Sequence, residues 1–228
     1  MLDLFINSHG LIPQALMAQL AAQGRQCHVM TLAECGVPQT DTPSVDVAAY
    51  FAAQTEAGTH YQNIYLDLTS CFDELQEFAS DAMAASARIE RRLAEVLKVL
   101  KYGSQHFARA EGGRIWVLCY DHSVSYSVNS PSNPITNNAV IAAVQSVAKE
   151  VARFAIQVNV FLIHPPRESL AEAQWRAAKH TLKVYGMKFK PQALAAVVEL
   201  VGMYAGLQHL STNGAVIPVG SGIGSVNI

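Results

Sequence analysis

Apolar runs alternate with stretches of helical periodicity along this chain, most clearly between residues 112 and 166. Gly112–Tyr120 and Ile156–Pro166 are apolar runs typical of buried parallel strands. Between them lie a loop rich in Ser, Asn and Pro, residues 121–136, and a long predicted helix, residues 137–155. This order of strand, loop, helix and strand predicts a βαβ unit of a parallel sheet. Such units bind ligands at the carboxyl ends of their strands.

The same alternation continues over the rest of the chain and predicts an α/β protein. Further strands are predicted at Leu2–Asn7, Gln26–Leu32, Tyr61–Leu68 and Gly214–Gly222. Further helices are predicted at Pro13–Gln23, Ser80–Ala110, Glu168–Tyr185 and Ala193–Leu207, with one short Ala-rich helix between Gly36 and His60. In the longest of them, apolar residues recur every three or four positions, so one side must cover the sheet.

Composition and charge narrow the class of protein. The 228 residues are 50% hydrophobic and 15% charged, which predicts one globular domain, residues 1–228, with an ample core. The formal net charge is −2 and the two signs are interspersed, so neither nucleic acid nor an anionic membrane is an expected partner. No apolar run approaches the roughly 20 residues of a membrane span, and no segment resembles a secretory signal. We therefore expect a cytoplasmic protein.

Cysteine and histidine spacing argues against a metal site. The four cysteines, Cys27, Cys35, Cys71 and Cys119, are scattered, which predicts free thiols in a reducing compartment. The chain contains no Cys-x-x-Cys motif, and its eight histidines form no pair with the spacing of metal ligands. We therefore expect no bound metal.

Three short segments, GGRI at 112–115, SVAKEVA at 146–152 and IQVNV at 156–160, resemble the short-chain dehydrogenase/reductase family. The resemblance spans nearly the whole chain and implies a single Rossmann-type doubly wound parallel sheet. That family normally carries a Ser, a Tyr-x-x-x-Lys and a helix-borne Asn in fixed register. In the register set by the first two segments, other residue types occupy all four catalytic positions: Tyr120 for the Ser, Asn133 for the Tyr, Asn137 for the Lys and, near the helix Asn, Arg92.

These replacements remove the family's proton chemistry. Hydride transfer at a carbonyl carbon needs a proton donor or acceptor at the oxygen, and the family's Tyr serves with a pKa lowered by its Lys. An Asn cannot titrate. Tyr120 or Tyr126 can be considered as substitutes, but neither has a Lys four positions later. An oxidoreductase with an unorthodox site at one of these tyrosines is the alternative to an inactive protein.

The turn after the first strand also departs from the family, whose three glycines let the pyrophosphate of the cofactor approach a helix N-terminus. The resemblance places Asn7, Leu11 and Pro13 at those glycines, and only Gly10 remains nearby. A Leu side chain and a Pro without N–H would stand where bare backbone meets phosphate, so we expect this chain to bind no nicotinamide cofactor. We interpret the turn as an ordinary strand-to-helix loop capped by residues 7–9.

One further turn departs from the family, and two groups of basic residues are considered for a role in binding. Where the family commonly has Asn-Asn-Ala-Gly, this chain has Asp67-Leu68-Thr69-Ser70. Arg91 and Arg92 are interpreted as a solvated helix face. A second basic group can meet an acyl-CoA phosphate or be merely solvated: Arg167, Lys183, Lys188 and Lys190.

A retained fold without its cofactor turn or catalytic residues is the pattern expected of a pseudoenzyme. Our leading hypothesis is a non-catalytic subunit in a heterotetramer with a homologous active dehydrogenase that holds NAD, joined through the two long helices and the last strand. The arrangement resembles heteromeric hydroxyacyl-CoA dehydrogenases, such as that of benzylsuccinate (anaerobic toluene) degradation. A homo-oligomeric pseudoenzyme that binds a small ligand is the other alternative.

Overall fold

The computed structural model describes residues 1–32, 46–70, 72–182, 190–207 and 211–220. Six strands within these ranges form one sheet: β1 (Leu2–Ile6), β2 (Gln26–Met30), β3 (Asn63–Asp67), β4 (Gly113–Tyr120), β5 (Ile156–Ile163) and β6 (Val216–Val219). Their order across the sheet is β2-β1-β3-β4-β5-β6, and all neighbours are parallel. The carboxyl ends of all these strands therefore lie along one edge.

Helices cover both faces of the sheet. Those in the described ranges are α1 (Leu11–Ala22), α2 (Val47–Glu56), α3 (Glu74–Ser80), α4 (Ala82–Arg109), α5 (His122–Ser127), α6 (Pro134–Val151), α7 (Glu172–Leu182) and α8 (Leu194–Gly206). Residues of α2, α4 and α6 join one apolar core, and residues of α1 and α8 join the other. The predicted α/β fold, a doubly wound parallel sheet, is confirmed.

Side-chain alternation along the strands supplies both cores. In β1, Leu4 and Ile6 belong to the core under α2, α4 and α6, whereas Phe5 between them belongs to the core under α1 and α8. All three side chains are fully buried. Burial of each such side chain stabilises the fold by about 1.5–3 kcal/mol. A strand that is covered on both faces is therefore apolar at successive positions and does not alternate apolar with polar residues.

The bounds of several elements differ from the predictions for local reasons. The predicted loop 121–136 contains α5, because the Asp121 carboxylate accepts hydrogen bonds from the N–H groups of Ser123 and Val124 at 3.0 and 3.4 Å. Helix α6 begins at Pro134, three residues before the predicted start, where a missing N–H costs nothing. Helix α4 begins at Ala82 rather than at residue 80, and the short helix α3 was not predicted.

The cysteine and membrane predictions can be compared with the described residues. Cys119 is a buried free thiol and Cys27 a partly buried one, as predicted. Cys35 and Cys71 lie outside the described residues, as do Lys183, Lys188 and Gly222. None of the described helices combines the length and the apolar character needed to span a bilayer.

An aromatic cluster between α2, β3 and α4 encloses a histidine, His106. Its side chain is buried within 6 Å of the ring centres of Phe51, Tyr61 and Phe107. The Thr55 hydroxyl donates to the Phe51 carbonyl at 2.8 Å, so His106 Nδ1, 3.0 Å from the same hydroxyl, must carry the proton. Nε2 is buried and has no hydrogen-bond partner in the described part of the chain.

Stability is expected to depend on pH through His106. Burial, together with the nearby His60 and Arg109, lowers the pKa of His106. The unfolded chain takes up this proton near pH 6.5 and the folded chain only at lower pH, so stability is full above about 6.5 and is lost as pH falls. Urea unfolding between pH 5.5 and 8 should show a loss of up to about 1.4 kcal/mol per pH unit that is absent in His106→Gln. Equal slopes in the two proteins would contradict this assignment.

Candidate functional site

The four positions predicted to have lost their catalytic residues lie at or near the carboxyl edge of the sheet. Tyr120 ends β4, Asn133 directly precedes α6, and Asn137 lies in the first turn of that helix. Asn137 Nδ2 donates a hydrogen bond to the Tyr120 carbonyl oxygen at 2.6 Å. The structure thus brings two of the four positions into contact, and the Asn137 amide is used to tie α6 to the end of β4.

Neither of the two candidate proton donors, Tyr120 and Tyr126, lies in an enclosed site. The Tyr120 side chain is partly buried and packs against the apolar core under α1 and α8. Tyr126, on α5, is 69% exposed. Asn133 is buried, and its Oδ1 has no hydrogen-bond partner among the described residues.

The N-terminus of α6 is closed by a carboxylate from elsewhere in the chain. Glu74, at the start of α3, is fully buried. It accepts hydrogen bonds from the N–H of Ile135 at 2.8 Å, the N–H of Thr136 at 3.0 Å and the Thr136 hydroxyl. These donors satisfy helix N–H groups that a helix cannot satisfy itself, and the negative charge suits the positive end of the helix dipole. Sequence reasoning missed Glu74.

Arg92 lies inside the protein, so its interpretation as part of a solvated helix face was wrong. It is 7% exposed, with its guanidinium carbon 6.0 Å from the centre of the Phe72 ring, whereas Arg91 is exposed as expected. The sequence of α4 indicates this burial, because Arg92 lies three positions after Ile89 and four before Val96, and Ile89 and Val96 are both buried.

Asp67 stands at the start of the turn where the family commonly has Asn-Asn-Ala-Gly. It is buried and accepts hydrogen bonds from the Thr69 N–H and hydroxyl at 2.9 and 2.6 Å and from the Ser70 hydroxyl at 3.2 Å. Burial raises the pKa of Asp67, while these hydrogen bonds and the charge of Arg92 oppose the rise. Arg92 and Asp67 therefore place two ionisable groups at positions where the family has amide side chains.

In the turn after β1, residues 7–9 do not cap α1, so the predicted capping was wrong. Gly10 is the N-cap of α1, no side chain caps that helix, and Pro13 is buried in its first turn as predicted. Asn7 adopts a left-handed conformation with φ 62°, which Asn tolerates better than most residues, and its Oδ1 accepts from the Leu32 N–H at 2.9 Å. Leu11 is 37% exposed.

Gly10, the one glycine that remains in this turn, packs closely against the turn after β3. A Cβ atom there would lie 2.7 Å from Asp67 Oδ2, 2.7 Å from Ser70 Oγ and 2.9 Å from Thr69 Oγ1. Such distances are far shorter than van der Waals contact, so any larger residue at this position would have to displace these three hydrogen-bonded side chains. The turns after β1 and β3 are therefore in direct contact at the amino end of α1.

Asp121 and His164, which the sequence analysis also missed, lie at the ends of β4 and β5. Asp121 and His164 are both buried, with 3.8 Å between Asp121 Oδ2 and His164 Nε2. The other Asp121 oxygen caps α5 and accepts from the Ser123 hydroxyl at 2.6 Å. A Cβ atom at Gly220 would lie 2.2 Å from the His164 ring, so the imidazole is tightly enclosed. Asp121 and His164 therefore place an enclosed carboxylate and imidazole side by side at the carboxyl edge of the sheet.

Helices α5 and α7 form a small lobe over this edge. Trp175 is buried with Val124, Val128 and Ala178, and its Nε1 donates to the Arg167 carbonyl oxygen at 2.7 Å. Arg167 and Lys190 are exposed. No group of three or more His, Cys, Asp or Glu side chains in the described ranges is arranged to hold a metal ion.

Comparison with known proteins gives a likeness in structure alone. No protein-family model matches the chain, and no curated protein matches it in sequence. A short-chain type dehydrogenase/reductase from Mycobacterium ulcerans matches 96% of this chain and 87% of its own, with 16% identity and a TM-score of 0.71. A small-chain dehydrogenase solved with NADPH matches 96% of both chains, with 14% identity and a TM-score of 0.63. A protein described as a dehalogenation enzyme matches 95% of both, with 16% identity and a TM-score of 0.61.

These likenesses establish the fold. The chain has the Rossmann-like fold of short-chain dehydrogenase structures over almost its whole length, as the sequence resemblance implied. Since the same fold also occurs in a dehalogenation enzyme, the fold alone does not decide the chemistry. What this chain does must therefore be inferred from its own residues.

Proposed function

We propose that this chain is a catalytically inactive, short-chain dehydrogenase-like subunit that pairs with a homologous, active, NAD-dependent subunit. The observation that carries the proposal is the hydrogen bond from Asn137 to the Tyr120 carbonyl. In the register of the resemblance, Asn137 holds the position of the activating Lys. Its amide donates a structural hydrogen bond and does not ionise near neutral pH, so it cannot supply the positive charge that lowers the pKa of the family's Tyr.

The surroundings of the other replaced positions support inactivity. Asn133, at the position of the family's Tyr, is buried and cannot act as a general acid. Tyr126 is 69% exposed, and an enclosed site is what makes proton transfer to a bound substrate efficient. These features favour an inactive subunit over an oxidoreductase that uses Tyr120 or Tyr126.

The environment of Gly10 supports loss of the cofactor. An anionic pyrophosphate binds well at a helix N-terminus that offers bare backbone N–H groups. Here the N-cap of α1 lies against the Asp67 carboxyl group and the hydroxyls of Thr69 and Ser70, and the exposed Leu11 side chain begins the helix. We infer that NAD is held by the partner and not by this chain.

The long helices offer the surface for pairing. On α4, Leu97 is 51% exposed and Met83 is 81% exposed, and Ile135 on α6 is 47% exposed. Apolar side chains of this size at the surface favour association. We propose that α4, α6 and β6 form the interfaces of a cytoplasmic heterotetramer. The exposed Arg167 and Lys190 suit the coenzyme A phosphates of a hydroxyacyl-CoA or oxoacyl-CoA thioester, as in benzylsuccinate degradation.

The test combines native mass spectrometry of gently purified protein with titration of the isolated chain by NAD(H) and NADP(H). We expect a mixed complex that contains a second dehydrogenase-sized chain, and no saturable binding of nucleotide by this chain up to millimolar concentrations. Leu97→Asp should release the partner because it places a charge in the apolar interface. Val29→Asp, on the exposed strand β2, is the matched control and should leave the complex intact.

The outcomes separate the proposal from its rivals. Tight nucleotide binding by the isolated chain would overturn the claim of inactivity and direct attention to Tyr120 and Tyr126. A homo-oligomer without a second chain would overturn the claim of pairing and favour a ligand-binding pseudoenzyme. A monomer at micromolar concentration would contradict both forms of association.

A further inference from the structure

The chain contains one Asn-Gly pair, Asn213-Gly214, in the turn directly before β6. An Asn-Gly pair is chemically labile, because glycine has no Cβ atom to hinder attack of its backbone nitrogen on the asparagine carboxamide. The attack gives a succinimide and releases ammonia, and water then opens the succinimide to aspartate or isoaspartate. The pair is therefore a candidate site of deamidation.

The backbone of this turn favours the glycine. Gly214 has a φ of 70°, in the left-handed region that glycine adopts without strain. A Cβ atom at this position would also lie 3.2 Å from the Cβ atom of Ala148 on α6. A bulkier residue, which would slow the reaction, is thus unfavourable here, so the labile pair is a consequence of the fold.

The Asn213 carboxamide joins this turn to α6 and β5. Its Nδ2 donates to the carbonyl oxygen of Ala148 at 3.0 Å and to that of Ile156 at 3.4 Å. Its Oδ1 accepts from the N–H of Val158 at 2.8 Å. Ala148 lies in the last turn of α6, where carbonyl groups have no partner within the helix, so Asn213 also caps the end of that helix.

The nitrogen that would attack is held by the same strand, β5. The Gly214 N–H donates to the Val158 carbonyl oxygen at 2.8 Å. On either side of the pair, the Asn159 side chain accepts from the Ala215 N–H at 2.9 Å and donates to the Thr212 carbonyl oxygen at 3.1 Å. Ring closure needs the Gly214 nitrogen to lose its proton and the neighbouring carboxamide to turn onto it. Both changes break bonds to β5, so the reaction requires local opening of this junction.

Deamidation would turn the contacts of this side chain from favourable to unfavourable. The Gly214 nitrogen forms a bond to Cγ of Asn213, the bond from Cγ to Nδ2 breaks, and ammonia leaves before water opens the ring. In the aspartate product an oxygen replaces Nδ2, so a carboxylate faces the carbonyl oxygens of Ala148 and Ile156, which are acceptors as well. Its negative charge also lies near the negative end of the α6 dipole.

We propose that Asn213 is a deamidation site controlled by folding. The folded chain protects the residue, the opened or unfolded chain loses ammonia there, and the altered residue no longer joins the turn before β6 to α6 and β5. This proposal is independent of the subunit pairing proposed above, because every contact that carries it lies within one chain.

The first test measures deamidation of the full chain at mildly alkaline pH by peptide mapping with mass spectrometry, in native buffer and in denaturing guanidinium chloride. We expect Asn213 to react at least about 100-fold faster in the denaturant, because no hydrogen bonds then have to open. Asn159→Ala removes the bonds to residues 212 and 215, so it should raise the native rate at least about tenfold. Asn138→Ala changes an exposed asparagine of α6 and should leave the rate unchanged.

The second test compares thermal unfolding at pH 7. Asn213→Asp imitates the deamidated chain and should lower the melting temperature by at least about 4 °C. Asn138→Asp adds the same charge at an exposed position of α6 and should not lower it.

Each outcome decides one part of the proposal. Equal rates in the native and denatured chain, or an unchanged native rate in Asn159→Ala, would overturn the protection by the fold. An unchanged melting temperature in Asn213→Asp would overturn the loss of the junction. Should Asn159→Ala fail to fold, the rate in the unaltered chain is followed at guanidinium concentrations below the unfolding transition, and it must rise with concentration for the proposal to stand.

Discussion

Glu74→Ala is expected to lower the free energy of unfolding by about 4 kcal/mol. The substitution removes a fully buried carboxylate that accepts from the N–H groups of Ile135 and Thr136 and from the Thr136 hydroxyl. Three donors at the N-terminus of α6 would lose their acceptor, and the two of Thr136 are buried. The helix dipole would also lose its nearby negative charge. Urea unfolding followed by circular dichroism at pH 7 measures the loss.

Two variants calibrate that result. Glu74→Gln keeps one carbonyl oxygen as an acceptor but loses the charge, so we expect about half of the loss. Glu90→Ala removes an exposed carboxylate from α4 and should change stability by no more than about 0.5 kcal/mol. A loss below about 1 kcal/mol in Glu74→Ala would mean that water replaces the carboxylate at little cost, and that α6 does not depend on this contact.

Glu74 also illustrates what the sequence can and cannot predict. Hydrophobic periodicity located all the described strands and most helices, because a strand covered on both faces must be apolar over its whole length. Glu74 and the N–H that it caps at Ile135 are 61 residues apart. A contact of this kind leaves no periodic pattern in the sequence, and Glu74 lies in a segment where no helix or strand was predicted.

The candidate site was predictable in part. The register of the family resemblance placed Tyr120 and Asn137 at two of the family's catalytic positions, and the structure brings the two residues into contact. The family register did not reveal that Arg92 is buried, although the spacing of Arg92 from Ile89 and Val96 puts it on the buried side of α4. A charged residue in register with apolar ones is thus a stronger signal than its charge alone suggests.

The same reasoning applies to Asp3, a charged residue within the apolar strand β1. The strand is covered on both faces, so a carboxylate there must have partners. Its partners, Arg25 and Asn63, start or precede the neighbouring strands β2 and β3, where parallel register brings them alongside. An isolated acidic residue in a buried strand therefore predicts a basic or amide side chain at the same edge, even when its identity is not evident.

Asp3→Leu is expected to lower the free energy of unfolding by about 4 kcal/mol. The change leaves the Arg25 guanidinium, 9% exposed, without its carboxylate and Asn63 Nδ2 without its acceptor. The attraction between two buried charges is largely offset by their desolvation, so the cost arises from the stranded partner and not from the loss of a strong bond. Urea unfolding of the purified variant measures the cost.

A double-mutant cycle separates this explanation from simple loss of packing. Arg25→Met alone should cost a similar amount, whereas Asp3→Leu combined with Arg25→Met should recover at least about 2 kcal/mol of the summed losses, because no charge is then stranded. The exposed pair Glu172 and Arg176 is the matched control, and Glu172→Leu should cost less than about 1 kcal/mol. Additive losses at Asp3 and Arg25 would show that the two side chains act separately.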